Sequence, residues 1–297
     1  MSKRYLITGG TGFIGSHIAK KLVDLGNEVY ILVRDSSNLD LLKGYEKKIS
    51  FQEYNGTYLS LEKALKTSKP DLVFHLASVF ISRHKPDDID GLISSNILFG
   101  TKLVEAMVQN GASALINAST SWQHFKNSDY SPVNLYAATK QGMEDIIKYY
   151  VEAENLSVVH LKLFDTYGPN DPRPKLMNLL KKAIITGEVL KMSGGDQMID
   201  LVYVDDVVEA FIIASELIFV KRGVSSYGIS SSTPIKLKAL VAIISKITEK
   251  EVPIEWGGIP YKDREVMVPY NAFVKLEGWT PKVRLEDGLR VCFKEIV

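Results

Sequence analysis

At 297 residues the chain can bury a large core, as one big α/β domain or as two modest ones. Charged residues make up 24% and apolar residues 45%, which excludes a disordered, collagenous or disulfide-stapled chain. The formal net charge is +1, and the one short basic stretch, KGYEKK near residue 45, reads as a solvated helix end. Charge therefore argues against a nucleic-acid partner.

The chain begins MSKRYLITGG, which passes straight into a strand pattern with no apolar signal-peptide core. No apolar run approaches the ~18 residues of a membrane span. These features lead us to expect a cytoplasmic protein with no membrane partner. Short β-branched runs then alternate with helix-length amphipathic stretches. The runs are RYLIT (4–8), EVYILV (28–33), ISFQEY (49–54), DLVFHLA (71–77), SALINA (113–118) and LSVVHLKLF (156–164). Near-continuous apolar character suits strands buried on both faces of a parallel sheet. FIGSHIAKKLVDLG, LEKALKTS and GLISSNILFGTKLVEAMVQNG read as crossover helices, with Gly26 and Gly111 just beyond the ends of two of them. The expected fold is α/β, a doubly wound parallel sheet of the Rossmann type.

After residue 165 the rhythm changes. YGPNDPRP is rich in turn formers, and SSSTP (230–234) leads into a helix over IKLKALVAIISKITEK. We read residues 1–165 as a dinucleotide-binding domain and 166–297 as a smaller mixed α/β substrate lobe. The run DLVYVDDVVEAFIIASEL within 197–222 returns a strand and helix to the first domain. Cys292 is the only cysteine, so an intrachain disulfide and a cysteine-rich zinc site are excluded, and no metal site is read. In LRVCFKEIV it reads as a small buried hydrophobe.

The segment between the first strand and first helix carries Gly9, Gly12, Phe13, Ile14 and Gly15, with glycines spaced G-x-x-G-x-x-G. Glycines let the backbone turn tightly and approach a pyrophosphate held at a helix N-terminus. The strand–loop–helix context separates this motif from a plain tight turn. The second strand ends at Val33, followed by Arg34. An acidic residue there would bind the ribose hydroxyls of NAD, whereas arginine makes charge-assisted bonds to a 2′-phosphate. With Ser36 as a further donor, NADP(H) is favoured over NAD(H). A surface Arg34 paired with Asp35 is the plainer alternative.

Tyr136 and Lys140 lie four residues apart at the start of a helix, and so on one face. A free tyrosine has a pKa of ~10, and a nearby ammonium is expected to lower it toward acid/base work. Thr120 sits just past the fifth strand, where open α/β sheets place ligands, with Ser119 and Ser121 as rivals.

TGGTGFIGSH, FHLAS with Leu76 and Ala77, Asn96-Ile-Leu-Phe-Gly-Thr, the Ser-Thr…Tyr-x-x-x-Lys set, Tyr167-Gly-Pro and Asp200-Leu-Val-Tyr-Val-Asp-Asp together resemble the extended short-chain dehydrogenase/reductase family over nearly the whole chain. The resemblance implies Thr120, Tyr136 and Lys140 as the catalytic trio. Asn96 would hold structure or water in the site, with Leu76 and Ala77 beside the cofactor. It also implies nucleotide-linked sugars as substrates and a homodimer formed through helices near 90–110 and 134–153. The family's 4,6-dehydratases carry Asp-Glu directly after the threonine, where this chain has Ser121 and Trp122, so dehydration is disfavoured. Its epimerases usually carry an acid where Arg34 stands, and a longer interval from Thr120 to Tyr136. The nearest likeness is to 4-ketoreductases that form CDP-linked dideoxysugars or dTDP-fucose, so a CDP- or dTDP-linked 4-keto-6-deoxy or dideoxy hexose is the expected substrate, in deoxysugar and surface-polysaccharide synthesis. A 4-epimerase, and an NADP-binding redox sensor that uses the fold without catalysis, are the alternatives. Arg264 matches the family's phosphate-binding arginine. Ile199 stands where relatives often have arginine. Asp165 stands where they often have asparagine and would repel a diphosphate if it faced the site, with Arg173 and Lys175 the cations placed to compensate.

Overall fold

The computed structural model describes residues 2–296. Its first half contains β1 (Arg4–Thr8), α1 (Phe13–Asp24), β2 (Glu28–Val33), β3 (Ile49–Glu53), α2 (Tyr58–Ser68), β4 (Leu72–His75), α3 (Ile89–Ile93), α4 (Phe99–Gln109), β5 (Ala114–Thr120), α5 (Leu135–Glu154) and β6 (Ser157–Leu163). The second half adds β7 (Asp165–Tyr167), α6 (Leu176–Thr186), β8 (Leu190–Met192), β9 (Met198–Ile199), β10 (Leu201–Tyr203), α7 (Val204–Leu217), β11 (Val224–Ile229), β12 (Ile235–Lys236), α8 (Leu237–Thr248), β13 (Ile254–Trp256) and α9 (Leu285–Cys292). Seven strands form one parallel sheet in the order β11-β6-β5-β4-β1-β2-β3. This is the doubly wound fold expected from the alternating pattern. Its direction of winding reverses between β1 and β4, and the crevice beyond those strand ends is where such sheets bind ligands.

Alternation along each strand builds the two core layers. Ile7, Ile31, Phe74, Ile116 and Leu161 face α1 and α7. Leu6, Val73, Leu115 and Val158 face α2, α4 and α5. With period two, every strand needs an apolar residue on both sides, which is why the runs look continuous in sequence. Gly26 and Gly111 follow the helix caps Leu25 and Asn110 with φ of +80° and +74°, the left-handed conformation that stops a helix cheaply only at glycine.

α7 packs against the sheet through Val207, Val208, Phe211 and Ala214. β11, which the apolar pattern did not mark, then joins the sheet edge beside β6. At the start of α7, buried Asp206 accepts hydrogen bonds from the backbone N–H groups of Lys282 (2.9 Å) and Val283 (3.0 Å), fastening the C-terminal segment to this layer. The remaining lobe surrounds a third core of Leu180, Leu240, Ile244, Leu289 and Phe293, in which Cys292 is buried. Its strands are two or three residues long and pair in three small sheets, β7 with β10, β9 with β12 and β8 with β13.

The helix expected over residues 91–111 is interrupted. Between α3 and α4 the segment Ser94–Leu98 makes a π turn, and the extra residue turns Asn96 inward. Among the described residues no helix is long and apolar enough to cross a membrane.

Candidate active site

The loop from β1 to α1 turns at Gly9, whose φ is +71° and whose carbonyl accepts from Gly12 N–H at 3.0 Å. A Cβ on Gly9 would lie 2.6 Å from the backbone nitrogen of Ala77, and one on Gly15 would overlap the Gly9 carbonyl oxygen. Both sites therefore need glycine for close backbone packing. Gly12 caps α1 without a side-chain hydrogen bond, so the first N–H groups of the helix stay available to an anion. These residues fit a dinucleotide pyrophosphate.

This loop forms one end of a cavity of about 550 Å³. Gly9, Gly12, Phe13, Ile14, Gly15 and Leu76 line that end, and Thr120, Tyr136, Lys140, Asp165 and Arg173 line the rest with Ser78, Phe80, Trp122 and Lys175. The catalytic trio proposed from sequence thus shares a cavity with the glycine loop. Arg34 and Ser36 lie exposed just past β2, outside this wall. Ala77 meets the loop from behind, its N–H donating to Thr8 Oγ1 at 3.3 Å. Asn96 is buried away from the wall. Its Oδ1 accepts from Val79 N–H (2.7 Å), and its Nδ2 donates to Val79 O (3.0 Å) and Thr139 Oγ1 (3.0 Å). It therefore ties the segment following β4 to α5 rather than touching the cavity.

Tyr136 is aimed by its helix start. Asn134 caps α5, accepting from Ala137 N–H at 3.0 Å, and donates to the carbonyls of Ile81 (3.3 Å) and Ser82 (3.1 Å). The Tyr136 ring meets Phe80 edge-on at 4.9 Å, and Phe80 also packs on Trp122. Burial pushes the Tyr136 phenol up to about 12, with the Ser78 hydroxyl acting in the opposite sense. This corrects the expectation drawn from the i, i+4 spacing. The cation that opposes the rise of the Tyr136 phenol is Arg173 rather than Lys140, and burial outweighs it. Burial also brings Lys140 itself down to about 8, against the opposing pull of Glu144.

Thr120 is buried at the cavity wall, three residues beyond the Asn117–His75 pairing of the sheet. Its Oγ1 accepts from Trp122 N–H at 3.3 Å, capping a short turn. Ser121 also lines the cavity. Ser119, which borders it too, points its hydroxyl to Glu144 and to Gln123 Oε1 (2.5 Å), so it is committed to the interior. His75 lies behind the wall. Its Nδ1 meets Thr8 Oγ1 at 2.8 Å, and burial drives it down to about 3, leaving a neutral imidazole.

A second cavity of about 230 Å³ adjoins the first, sharing Ser121, Trp122, Phe164 and Asp165. Arg264 and Lys262 line it, and each also holds a serine. Arg264 Nη2 donates to Ser131 Oγ (2.6 Å), and Lys262 Nζ donates to Ser82 Oγ (2.7 Å). Ile199 lies on its wall, where an arginine would have supplied another charge. Buried Gln197 Oε1 and His124 Nε2, both of residues on this wall, have no hydrogen-bond partner among the described residues.

Asp165 does face the junction of the two cavities. Burial raises its pKa above the ordinary carboxylate value, while the Lys175 charge counters that rise. Lys175 stands over the Phe80 ring at 5.1 Å. Arg173 is already occupied, clamped on Asp171 at 2.7 and 2.6 Å and stacked on Phe13 at 4.7 Å. Of the two compensating cations read from sequence, Lys175 is thus the one without a carboxylate clamp. Sequence reasoning gave no role to Ser78, although it closes the FHLAS motif, and missed Phe80, which carries no pattern of its own, and Glu144, whose signal is its position one helical turn past Lys140.

The family model described as NAD dependent epimerase/dehydratase family matches residues 5–224, and the chain belongs to that family. CDP-abequose synthase of Yersinia pseudotuberculosis is 28% identical over 271 residues, covering 90% of this chain and 91% of that protein. Among solved structures, a UDP-glucose 4-epimerase with UDP-glucose from Thermotoga maritima superposes with a TM-score of 0.87 at 24% identity, covering 98% and 97% of the two chains. MoeE5 in complex with UDP-glucose and NAD superposes with a TM-score of 0.83 at 26% identity, again covering 98% and 97%. The resemblance read from the motifs, to the extended short-chain dehydrogenase/reductase family and its nucleotide-sugar ketoreductases, agrees with these matches.

Proposed function

We propose that the protein is an NADPH-dependent 4-ketoreductase acting on a CDP- or dTDP-linked 4-keto-6-deoxy or dideoxy hexose in deoxysugar synthesis. The observation that carries this reading is the one cavity lined by Thr120, Tyr136 and Lys140 together with the glycine loop, with Ser121 and Trp122 instead of an acid pair after the threonine. The likeness to CDP-abequose synthase favours the same class.

The glycine loop and the free N-terminus of α1 hold the dinucleotide pyrophosphate, and Arg34 supplies a cation for a 2′-phosphate. When bound, the reduced dinucleotide supplies the hydride. Thr120 and Tyr136 direct hydroxyl hydrogens at the C4 oxygen of the sugar, where negative charge grows as the carbonyl is reduced. Tyr136 then gives its proton to that oxygen, and the Lys140 ammonium stabilises the phenolate left behind. A phenol raised to about 12 starts this sequence protonated, as a proton donor must. Arg264 and Lys262 take the nucleotide diphosphate in the second cavity, and Lys175 offsets Asp165. Exposed Ile93, Leu98 and Tyr149 on the helical side support a homodimer.

A 4-epimerase remains the second reading, because epimerases are among the structural neighbours. The two separate cleanly. Incubated with a 4-keto-6-deoxy sugar nucleotide, the protein is expected to consume one NADPH per product, with NADH a poorer donor. In Arg34→Ala the preference for NADPH should fall by about tenfold or more, one charge-assisted contact being worth roughly 1.5–3 kcal/mol. Interconversion of two sugar nucleotides with no NADPH consumed would replace the reductase by the epimerase.

A further inference from the structure

Glu144 is a buried acid outside both cavities. It lies four residues after Lys140 on α5, and so one turn along the same helix face. Its Oε1 accepts from Ser119 Oγ, and its Oε2 pairs with Lys162 Nζ on β6 at 3.4 Å, with both charged side chains 11% exposed. Ser119 Oγ also reaches Gln123 Oε1 at 2.5 Å, and that oxygen accepts from Thr120 N–H at 3.3 Å. Gln123 Nε2 in turn donates to Gln141 Oε1 on α5 at 2.7 Å. The strand end that carries Thr120 is thus fastened to the helix that carries Tyr136 and Lys140, on two successive turns.

The groups packed around this point are few. β4 contributes His75, β5 contributes Asn117 and Ser119, β6 contributes His160 and Lys162, and the turn after β5 contributes His124, whose pKa burial lowers. His160 is buried, and its Nδ1 meets Asn117 Nδ2 at 3.1 Å, so the ring accepts there. Burial brings His75 down to about 3, so that ring is neutral, and lowers His160 as well. Glu144 is then the carboxylate that opposes the effect of burial on Lys140. Burial also works against the charge of Glu144. Lys162 and the hydrogen bonds from Ser119 and Gln123 outweigh it and hold the acid below the ordinary carboxylate value.

We propose that Glu144 is a positioning residue, which locks the Thr120 strand end to α5 through Ser119 and Gln123 and serves as the buried counter-charge that keeps Lys140 cationic. The proposal rests on the roles assigned above to Thr120 and Lys140. It separates Glu144 from a plain structural partner of Lys162, which would leave Lys140 unaffected.

The test uses full-length protein with ¹⁵N-labelled lysine. The Lys140 resonance, assigned by its loss in Lys140→Arg, is followed against pH without added cofactor. In Glu144→Gln the titration midpoint should fall by about one pH unit, the effect of removing one nearby opposite charge. Glu144→Asp, which keeps the charge, should restore it. The alkaline limb of kcat, where Lys140 loses its proton, should move to lower pH in step with the midpoint. Because Glu144→Gln strands a buried Lys162 and risks unfolding, the double variant Glu144→Gln with Lys162→Met removes both charges. The midpoint should still be lowered there. A wild-type midpoint in the folded double variant overturns the proposal and leaves Glu144 as the partner of Lys162 alone. Absence of turnover by the wild type on any 4-keto sugar nucleotide would defeat the ketoreductase reading while leaving the Lys140 titration as the measure of Glu144.

Discussion

Tyr136→Phe is expected to lower kcat by about 10³-fold, roughly 4 kcal/mol of transition-state stabilisation, while NADPH binding changes by less than about threefold. Phenylalanine preserves the edge-on contact with Phe80 at 4.9 Å, so the wall of the cavity should stay intact. Only the proton donor is lost. Thr120 still hydrogen-bonds the ketone, and Lys140 still carries charge, which leaves a residual rate. Steady-state kinetics with separate fluorescence titration of NADPH distinguishes the two effects. A variant that keeps its wild-type kcat would remove the tyrosine from proton transfer.

Gly15→Ala should act on the opposite end of the cavity. The new methyl group would overlap the Gly9 carbonyl oxygen and press on Gly10 Cα at 2.9 Å, both backbone atoms with no rotamer to yield. The loop must open, and the N–H groups that face the pyrophosphate move with it. We expect NADPH affinity to fall by about 100-fold or more, the equivalent of two or three hydrogen bonds. Gly26→Ala is the control. It also places a side chain on a glycine, but at φ +80° with nothing within 4 Å, so it should cost about 1 kcal/mol of stability and leave NADPH binding unchanged. Equal affinities in Gly15→Ala and wild type would contradict the role given to this loop.

Much of this arrangement was legible in the chain because it depends on local pattern. Strands buried on both faces leave continuous apolar runs, as in Phe74 and Val73, which face opposite layers. The glycine loop declares itself by spacing, and Tyr136 and Lys140 by one helical turn. Other features arise only when distant segments meet. Asn96 looks like part of a regular helix, because one extra residue in a π turn hardly disturbs an apolar period. β11 reads VSSYGI, too polar at its start to mark a strand, yet it completes the sheet edge. The two- and three-residue strands of the C-terminal lobe are shorter than any period that could reveal them.

The proton chemistry was legible in part. Spacing placed Lys140 on the helix face of Tyr136, and both side chains line one cavity. The sign of the shift on Tyr136 was not legible, since it depends on how deeply the phenol is buried, and Phe80 packs on its ring from another part of the chain. For the same reason the spacing of Glu144 from Lys140 gave no sign of its tie to Ser119. Ser119 lies 25 residues away from it in sequence, and only the packing of α5 on β5 joins them.

The most direct measurement of the central claim follows the hydride. NADPH deuterated at the transferring position is incubated with a CDP- or dTDP-linked 4-keto-6-deoxy hexose, and the product is read by mass spectrometry and NMR. The account predicts one deuterium at C4 of the sugar and one NADP⁺ formed for each product. A product without deuterium, formed while NADPH is conserved, would contradict it.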